Sequence, residues 1–212
     1  MTTTIIAIDG PAAAGKGTLA RRLAAQLGFD YLDTGLIYRA VGMKLARAGL
    51  DPADVALAER AARDLSPADL AATDLRIDEA AQAASKVASI PGVRAALLEF
   101  QRRFAAQPPG GQGAVLDGRD IGTVVCPEAK VKLFVTASVE KRAERRLKEL
   151  QEKGLGAIYG TVLADMRERD ERDTNRAVAP LVPAQDATVL DTSDLDADQA
   201  FAAALGIVGS KR

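Results

Sequence analysis

The sequence lacks histidine altogether and has a single cysteine, Cys126, among its 212 residues. Without histidine, the Ser-His-Asp and Cys-His types of nucleophilic catalysis are excluded, and so are histidine metal sites. A lone cysteine cannot form a disulfide within the chain or a multi-cysteine zinc site, and we interpret it as a small buried residue beside Pro127. Any proton transfer must therefore use carboxylates, and cationic stabilisation must come from lysine and arginine.

Long apolar runs and a strong charge imbalance are missing as well. No run of about 18 apolar residues occurs, so we expect no membrane span. Residues 1–8 lack a basic start and a long apolar segment, so we expect no signal peptide and a cytoplasmic protein. The net charge of −1 argues against binding nucleic acid through its phosphates. A hydrophobic content of 48% is enough for the core of one domain.

The most informative motif is a glycine-rich run, Asp9-Gly-Pro-Ala-Ala-Ala-Gly-Lys-Gly-Thr18, between a strand-like segment at 5–8 and a helical pattern at 19–27. Glycines allow a tight turn whose N–H groups face an anion, and the helix N-terminus and the lysine add positive charge. A glycine-rich turn without a ligand is the alternative. The context predicts a nucleoside triphosphate site formed by Gly10, Pro11, Ala12, Ala13, Ala14, Gly15, Lys16, Gly17 and Thr18.

The ending of this run departs from the strict phosphate-loop pattern. Ser or Thr normally follows the lysine directly, whereas Gly17 separates Lys16 from Thr18 here. A Gly-Lys-Gly-Thr ending resembles the nucleoside monophosphate kinases more than the GTPases or the motor ATPases.

Five short apolar runs predict buried parallel strands at residues 5–8, 29–32, 114–116, 131–135 and 188–190. Helical patterns separate these runs, so we predict an α/β fold with a doubly wound parallel sheet in three layers. Asp51-Pro52 predicts the start of a helix that runs to about residue 64. Ser193-x-x-Asp196 predicts the capping box of the last helix.

The chain is expected to form one domain with two added segments. Residues 50–106 show no convincing strand and are long for a crossover, which predicts an insert. Gly154, Gly156 and Gly160 precede a basic run at 167–176, which predicts a mobile lid over residues 151–176. The core would then comprise residues 1–49, 107–150 and 177–212.

Three of the predicted strands end in an aspartate, and these are Asp9, Asp33 and Asp117. Ligands of open α/β sheets bind at this edge, where carboxylates can hold a hydrated Mg²⁺ that offsets the charge of a triphosphate. A helix N-cap or a turn is the alternative for each aspartate. We assign a magnesium ion, held through water, to Asp33 and Asp117.

Two further clusters bring positive charge toward the same edge. Asp117-Gly-Arg-Asp120 places an arginine just beyond a central strand, where it can clamp a transferring phosphoryl group, although a surface turn often has this composition. Guanidinium groups offer planar, multi-donor contacts to phosphate. The second cluster is a row of such groups on one face of a predicted helix, formed by Arg169, Arg172 and Arg176 with Asp173 beside it.

Together these motifs resemble the bacterial-type cytidylate kinases, which are P-loop nucleoside monophosphate kinases. The resemblance covers nearly the whole chain and implies Mg²⁺-dependent transfer of the γ-phosphoryl group of ATP to CMP or dCMP, giving CDP or dCDP. It rests on the run at 9–18, Leu32-Asp-Thr-Gly-Leu-Ile-Tyr-Arg39, Ala84-Ser-Lys-Val-Ala-Ser-Ile-Pro-Gly-Val-Arg94, Asp117-Gly-Arg-Asp-Ile-Gly-Thr123 and Arg172-Asp-Thr-Asn-Arg-Ala-Val-Ala-Pro-Leu181.

The resemblance also implies roles for individual residues. Catalytic roles are implied for Lys16, Arg119 and Arg176, with Arg176 reaching the transferring phosphoryl group, and Arg145 is implied to stack on the adenine of ATP. The CMP-binding residues that it implies are Arg39 and Arg119 at the phosphate, Asp173 with Arg169 at the ribose hydroxyls, Ser85, Arg94 and Asp120 at the cytosine edge, and Thr34, where the family usually has serine, near the acceptor phosphate or base.

One feature departs from the family, and two rival interpretations remain. Family members usually carry a small β-hairpin in the insert, whereas Leu75-Arg-Ile-Asp-Glu-Ala-Ala follows almost directly on the preceding helix here, so we expect a trimmed insert. Another small-acceptor P-loop kinase, such as an adenylate or shikimate kinase, would share the loop without the cytosine-reading set. A nucleotide-dependent switch or partner-binding module is disfavoured because no Asn-Lys-x-Asp run, which would read guanine, occurs. We expect a monomer that binds only small nucleotides.

Overall fold

A five-stranded, all-parallel β-sheet forms the centre of the structure, a computed structural model that describes residues 3–211. The five predicted strands are confirmed to within one or two residues at each end. The strands are β1 (Thr4–Asp9), β2 (Asp30–Asp33), β3 (Gly113–Gly118), β4 (Val131–Thr136) and β5 (Thr188–Asp191), in the spatial order β2-β3-β1-β4-β5.

Helices fill the connections between the strands. They are α1 (Lys16–Leu27), α2 (Thr34–Arg47), α3 (Val55–Arg63), α4 (Pro67–Leu70), α5 (Asp78–Val87), α6 (Pro91–Ala106), α7 (Val139–Glu152), α8 (Tyr159–Asn175) and α9 (Ala197–Lys211). A 3₁₀ turn covers Thr73–Arg76, and a π-helical turn covers Ile121–Val125. Within residues 3–211, no helix has the length and apolar character needed to cross a membrane.

Side chains of the central strand β1 alternate between the two faces of the sheet, as the period of a strand requires. Ile6 and Ile8 pack with apolar side chains of α1 and α9, whereas Ala7 packs with those of α6 and the π-helical turn. All three residues are fully buried. Helices therefore cover both faces, which confirms the predicted three-layer α/β fold.

Residues 50–106 fold as helices and turns that pack largely against α2. No strand occurs between β2 and β3 in the part of the chain that the structure describes, in agreement with the trimmed insert expected above. Gly42 lets α2 and α5 approach closely, because a Cβ at this position would lie 2.7 Å from the Cβ of Ala83. This packing brings α5 to the carboxyl end of the sheet.

The helix that was expected to begin after Asp51 begins later, at Val55. Its N-cap is Asp54, whose carboxylate accepts a hydrogen bond from the N–H of Leu57 at 3.0 Å. Asp51 instead accepts from the N–H of Ala53, at 2.9 Å, within the preceding turn. An aspartate can close a turn as readily as it caps a helix, so the sequence prediction chose the wrong one of two nearby aspartates.

The capping box of the last helix is also shifted from the predicted Ser193-x-x-Asp196. The carboxylate of Asp196 accepts from the N–H of Gln199 at 2.8 Å, and the side-chain oxygen of Gln199 accepts from the N–H of Asp196 at 3.0 Å. Ser193 donates instead to the carboxylate of Asp191 at 2.6 Å. The box is therefore three residues further along the chain than predicted.

Candidate active site

A cleft of about 550 Å³ opens at the carboxyl end of the sheet, bounded by the glycine-rich loop, α2, α5, α7 and α8. Strands β2 and β3 end here side by side, because Asp33 and Asp117 pair in register. Both aspartates line the cleft. This edge is where parallel α/β sheets bind their ligands.

The glycine-rich loop turns sharply between β1 and α1. Gly10 has a φ of +144°, and a Cβ there would lie 1.9 Å from the carbonyl oxygen of Val135, so only glycine fits. Ala13 has a φ of +57°, and Gly15, the N-cap of α1, has a φ of +88°. The loop therefore surrounds the N-terminus of α1, whose N–H groups have no partner within the helix and favour an anion.

Lys16 places a buried ammonium group under this loop. Its side chain donates from Nζ to the carbonyl oxygen of Pro11 at 2.8 Å, and the residue is only 7% exposed. Burial and then the positive charge of Arg119 lower the pKa of Lys16 to about 7, while Asp117 acts in the opposite direction. An anion at this point would favour the charged form of the lysine.

Asp9 differs from the other two strand-end aspartates in its hydrogen-bond partners and in its position outside the cleft. Its carboxylate accepts hydrogen bonds from the N–H groups of Ile121 and Gly122, each at 2.7 Å, and it does not line the cleft. Both of its oxygens are thus engaged by the π-helical turn. Asp9 also ends a predicted strand, but it lies apart from the Asp33–Asp117 pair to which the magnesium ion was assigned.

Asp117 and Asp33 form an electronegative point beside the loop. Burial and then the negative charge of Asp33 raise the pKa of Asp117 to about 6. A divalent cation would relieve this repulsion, so the pair fits Mg²⁺. Within residues 3–211 no cluster of three or more His, Cys, Asp and Glu side chains could hold a metal ion. Water and substrate phosphates would have to supply the remaining ligands.

The far end of the cleft contains a buried ion pair between Arg94 and Asp120. Both side chains are below 10% exposed, at 8% and 7% respectively. Arg176 lies nearby, with its Nη2 3.8 Å from the Oδ1 of Asp120. The guanidinium carbon of Arg94 also lies 5.7 Å from the ring centroid of Tyr38. Burial raises the pKa of Asp120, and the charges of Arg94 and Arg176 oppose that rise.

Asp173 of α8 connects the two ends of the cleft. Its carboxylate accepts from the Nε of Arg119 at 2.9 Å and from the hydroxyl of Ser85 at 3.4 Å. Burial raises the pKa of Asp173, but the charges of Arg119 and Arg169 outweigh this effect, so the net shift is downward. The carboxylate therefore stays ionised beside two arginines.

Arg145 of α7 lies at the outer side of the glycine-rich loop. Its guanidinium donates to the Oγ1 of Thr192 at 3.1 Å and to the carbonyl oxygen of Leu195 at 3.4 Å. These residues line a smaller cavity of about 230 Å³, which also contacts Gly15 and Thr18 of the loop. The smaller cavity is thus adjacent to the loop end of the main cleft.

Comparison with known proteins decides the family. The sequence profile of the family described as cytidylate kinase matches residues 6–209. The chain belongs to the cytidylate kinase family. The class of enzyme predicted above, a nucleoside monophosphate kinase, is thereby confirmed.

Two relatives match this kinase over almost its full length. The cytidylate kinase of Paramagnetospirillum magneticum is 95% identical over 210 residues, which cover 99% of this chain and 100% of the relative. The cytidylate kinase of Rhodospirillum rubrum is 64% identical over 208 residues, which cover 98% of each chain. A crystal structure of an uncharacterised protein from Eubacterium ventriosum has a TM-score of 0.54 at 14% identity, covers 98% of this chain and 97% of that one, and supports the fold alone.

The kinase brings most of the predicted site residues to one cleft. Those that line it are Ala12, Ala13, Gly15, Lys16, Gly17, Thr18, Asp33, Thr34, Arg39, Ser85, Arg94, Asp117, Arg119, Asp120, Arg145, Arg169, Asp173 and Arg176. Gly10, Pro11 and Ala14 of the loop do not line it. Arg172, the other member of the predicted arginine row, does not line the cleft, and its guanidinium donates to Glu168 and, at 3.0 Å, to the hydroxyl of Ser85.

Sequence reasoning missed several cleft residues, including Tyr38, Arg76, Arg146 and Lys153. Arg146 lies in α7, and Lys153 is the C-cap of that helix. The dense alternation of charges along this segment is typical of a solvated helix face. Their position close to Arg145 in the chain is the one signal that could have singled them out. Arg76 ends a 3₁₀ turn, for which the sequence offers no periodic pattern.

Proposed function

We propose that this kinase transfers the γ-phosphoryl group of ATP to the phosphate of CMP or dCMP, giving CDP or dCDP, with Mg²⁺ at the phosphates. One observation carries the proposal. A phosphate-binding loop and the buried Arg94–Asp120 pair lie in the same cleft, so a nucleotide at each of them would bring two phosphate chains together. The roles of individual residues follow from this placement.

ATP would occupy the loop end of the cleft. Its β- and γ-phosphates would meet the N–H groups of the loop, the positive end of α1 and Lys16. The adenine would enter the smaller cavity beside the loop, where the guanidinium plane of Arg145 can stack on an aromatic ring. The ATP-binding set is then Gly10, Pro11, Ala12, Ala13, Ala14, Gly15, Lys16, Gly17, Thr18 and Arg145.

The phosphate of CMP would lie between Arg39 and Arg119. Both side chains line the cleft, and Arg39 is anchored because its guanidinium donates to the carbonyl oxygen of Leu75 at 3.1 Å. Thr34 donates its hydroxyl hydrogen to the carbonyl oxygen of Asp117 at 2.7 Å, so its oxygen can only accept from the substrate. This acceptor site lies between the loop and the Arg94–Asp120 pair.

The base and the sugar of CMP would be recognised at the far end. Arg94 can only donate and ionised Asp120 can only accept, which matches N3 and the 4-amino group of cytosine. Ser85 would complete the contacts to the base edge. Asp173, with Arg169 beside it, would accept from the ribose hydroxyls.

Positioning and charge neutralisation would supply most of the catalysis. The acceptor phosphate is already ionised, so in-line transfer needs no strong general base. Lys16, Arg119 and Arg176 would neutralise the transferring group. Arg176 is suited to this role because its buried Nη2 has no hydrogen-bond partner within residues 3–211. Mg²⁺, held through water near Asp33 and Asp117, would supply further charge neutralisation at the phosphates.

The proposal extends to the segments around the core. Residues 50–106 would form the insert that holds CMP, residues 151–176 a lid, and residues 1–49, 107–150 and 177–212 the core. We further propose that the enzyme is a cytoplasmic monomer without a nucleic-acid partner. Light scattering of the purified enzyme with and without both nucleotides tests the oligomeric state.

A coupled ADP-release assay with ATP and a panel of acceptors tests the function. We expect CMP and dCMP to be phosphorylated at least about a hundredfold more efficiently than UMP, AMP, GMP or shikimate, since a mispaired polar site discriminates strongly. Chelation of Mg²⁺ should abolish transfer. A preference for AMP or shikimate would establish a different small-acceptor kinase. Hydrolysis of ATP without any phosphorylated acceptor would favour a nucleotide-dependent switch.

A further inference from the structure

Arg142, in the first turn of α7, is 4% exposed and has no role in the proposed phosphoryl transfer. Its guanidinium contacts three separate parts of the fold. Nε donates to the carbonyl oxygen of Ala137 at 2.9 Å, just after β4. Nη1 donates to the carbonyl oxygen of Ala12 at 3.3 Å, in the glycine-rich loop. Both terminal nitrogens donate to Asp170 of α8, at 3.0 and 2.5 Å.

The contact with Ala12 sets the orientation of one peptide group of the loop. In a planar trans peptide, the C=O group and the following N–H group point in opposite directions. Because the carbonyl of Ala12 faces Arg142, the N–H of Ala13 points away from that guanidinium. Ala13 lines the cleft and holds a φ of +57°, a value that alanine keeps only when surrounding contacts impose it.

Neighbouring carbonyls of the loop are held in the same manner. The carbonyl oxygen of Pro11 accepts from Lys16 at 2.8 Å, and that of Ala14 lies 3.2 Å from the hydroxyl of Thr192. Side chains thus engage the carbonyls of Pro11, Ala12 and Ala14, which favours the loop conformation that presents its N–H groups to a ligand. Arg142 differs from the other donors because it is also paired with a residue of α8.

We propose that Arg142 and Asp170 are positioning residues for ATP. The two side chains hold the Ala12 peptide in its phosphate-binding orientation, and this orientation therefore depends on the position of α8. The inference rests on the proposed function of the loop as the site of the ATP phosphates. A bidentate arginine–carboxylate pair fixes both partners in one plane. The side chains are 5% and 25% exposed, so water competes little for the contact.

The primary test is Asp170→Asn, which keeps the shape of the side chain and removes its charge. We expect the KM for ATP to rise about tenfold while the KM for CMP stays within about twofold, since only the loop peptide loses its constraint. The Kd of ATP measured by calorimetry without CMP should rise by the same factor. Arg142→Lys, which cannot form the bidentate contact, should move the same two constants in the same direction.

The chain offers a matched control on the same two helices. Glu140 of α7 and Arg167 of α8 form an ion pair at 3.1 Å, but their side chains are 52% and 61% exposed and neither lines the cleft. Glu140→Gln should leave both KM values and the Kd of ATP unchanged. If Asp170→Asn lowered only the melting temperature, or raised both KM values by one factor, the positioning role would be refuted.

The outcome separates this inference from the proposed function. If Lys16→Ala abolishes transfer but Asp170→Asn and Arg142→Lys leave ATP binding at the wild-type level, the loop holds ATP without the help of the ion pair, and only this inference fails. If Lys16→Ala keeps wild-type transfer and ATP affinity, the proposed role of the loop fails, and this inference fails together with it.

Discussion

Asp120→Asn is expected to reverse part of the base preference of the enzyme. Cytosine offers an amino donor at position 4 and an acceptor at N3, whereas uracil offers an acceptor oxygen and an N–H donor. The carboxylate of Asp120 suits the amino group and opposes the uracil oxygen. An asparagine can turn its amide donor toward that oxygen, so the variant should lose CMP activity sharply and lose less UMP activity, or gain some.

The structure sets the magnitude of two separate effects. Asp120 is paired with buried Arg94, and Arg176 lies 3.8 Å from its other oxygen. Removing one partner of a buried pair costs about 3–5 kcal/mol, which for a chain of this size lowers the melting temperature by on the order of 10 °C. One reversed donor–acceptor contact at a buried base edge should change the CMP:UMP ratio of kcat/KM by about a hundredfold, roughly 2.7 kcal/mol.

The assay measures kcat/KM for CMP and for UMP in wild type and variant, at a temperature where both are folded. Asp186→Asn is the control for stability, because Asp186 pairs with buried Lys132 at 2.8 Å and neither residue lines the cleft. The control should lower the melting temperature and leave the CMP:UMP ratio unchanged. If Asp120→Asn reduced activity toward both substrates by the same factor, Asp120 would only orient its neighbours and the base-reading role would be abandoned.

Three further predictions follow from the cleft. Lys16→Ala should raise the barrier to transfer by about 3–4 kcal/mol or more without changing the circular dichroism, because it removes a cation from a preorganised site; near-wild-type kcat would refute the phosphate-loop assignment. Because burial and Arg119 lower the pKa of Lys16 to about 7, ATP binding should restore its proton, so calorimetry in buffers of different ionisation enthalpy should show proton uptake that is larger at pH 8 than at pH 7. No uptake at pH 8 would contradict this pKa shift. Hydrogen exchange of residues 151–176 should slow when ATP and CMP are both present, and equal exchange in both states would contradict a lid.

Local sequence patterns were sufficient for the parts of the fold that depend on short-range chemistry. Apolar runs located the strands because buried parallel strands are apolar on both faces. Ligands bind at the carboxyl edge of a parallel sheet, and this rule alone was enough to place Asp33 and Asp117 beside the loop. The resemblance to one family supplied the acceptor side, where single residues such as Ser85 and Arg94 carry no local signature.

The remaining features depend on contacts between distant segments. Asp9 lies at the predicted edge, but its carboxylate is engaged by Ile121 and Gly122, more than a hundred residues away in the chain. Arg142 resembles any other charge of α7 until the fold places it between Ala12 and Asp170. No periodic pattern encodes such pairings, because they depend on how whole elements pack.

In the proposed mechanism, two nucleotides share one cleft and their phosphates meet at Lys16, Arg119 and Arg176. Calorimetric titration with adenosine and cytidine joined through a polyphosphate chain tests this arrangement most directly. We expect a Kd at least about a hundredfold below that of ATP. When two linked ligands reach both sites, binding of the second is intramolecular and so takes place at a high effective concentration. Lys16→Ala should lose most of that gain, and excess CMP should compete with the linked ligand. Binding no tighter than that of ATP, and insensitive to CMP, would contradict the shared cleft.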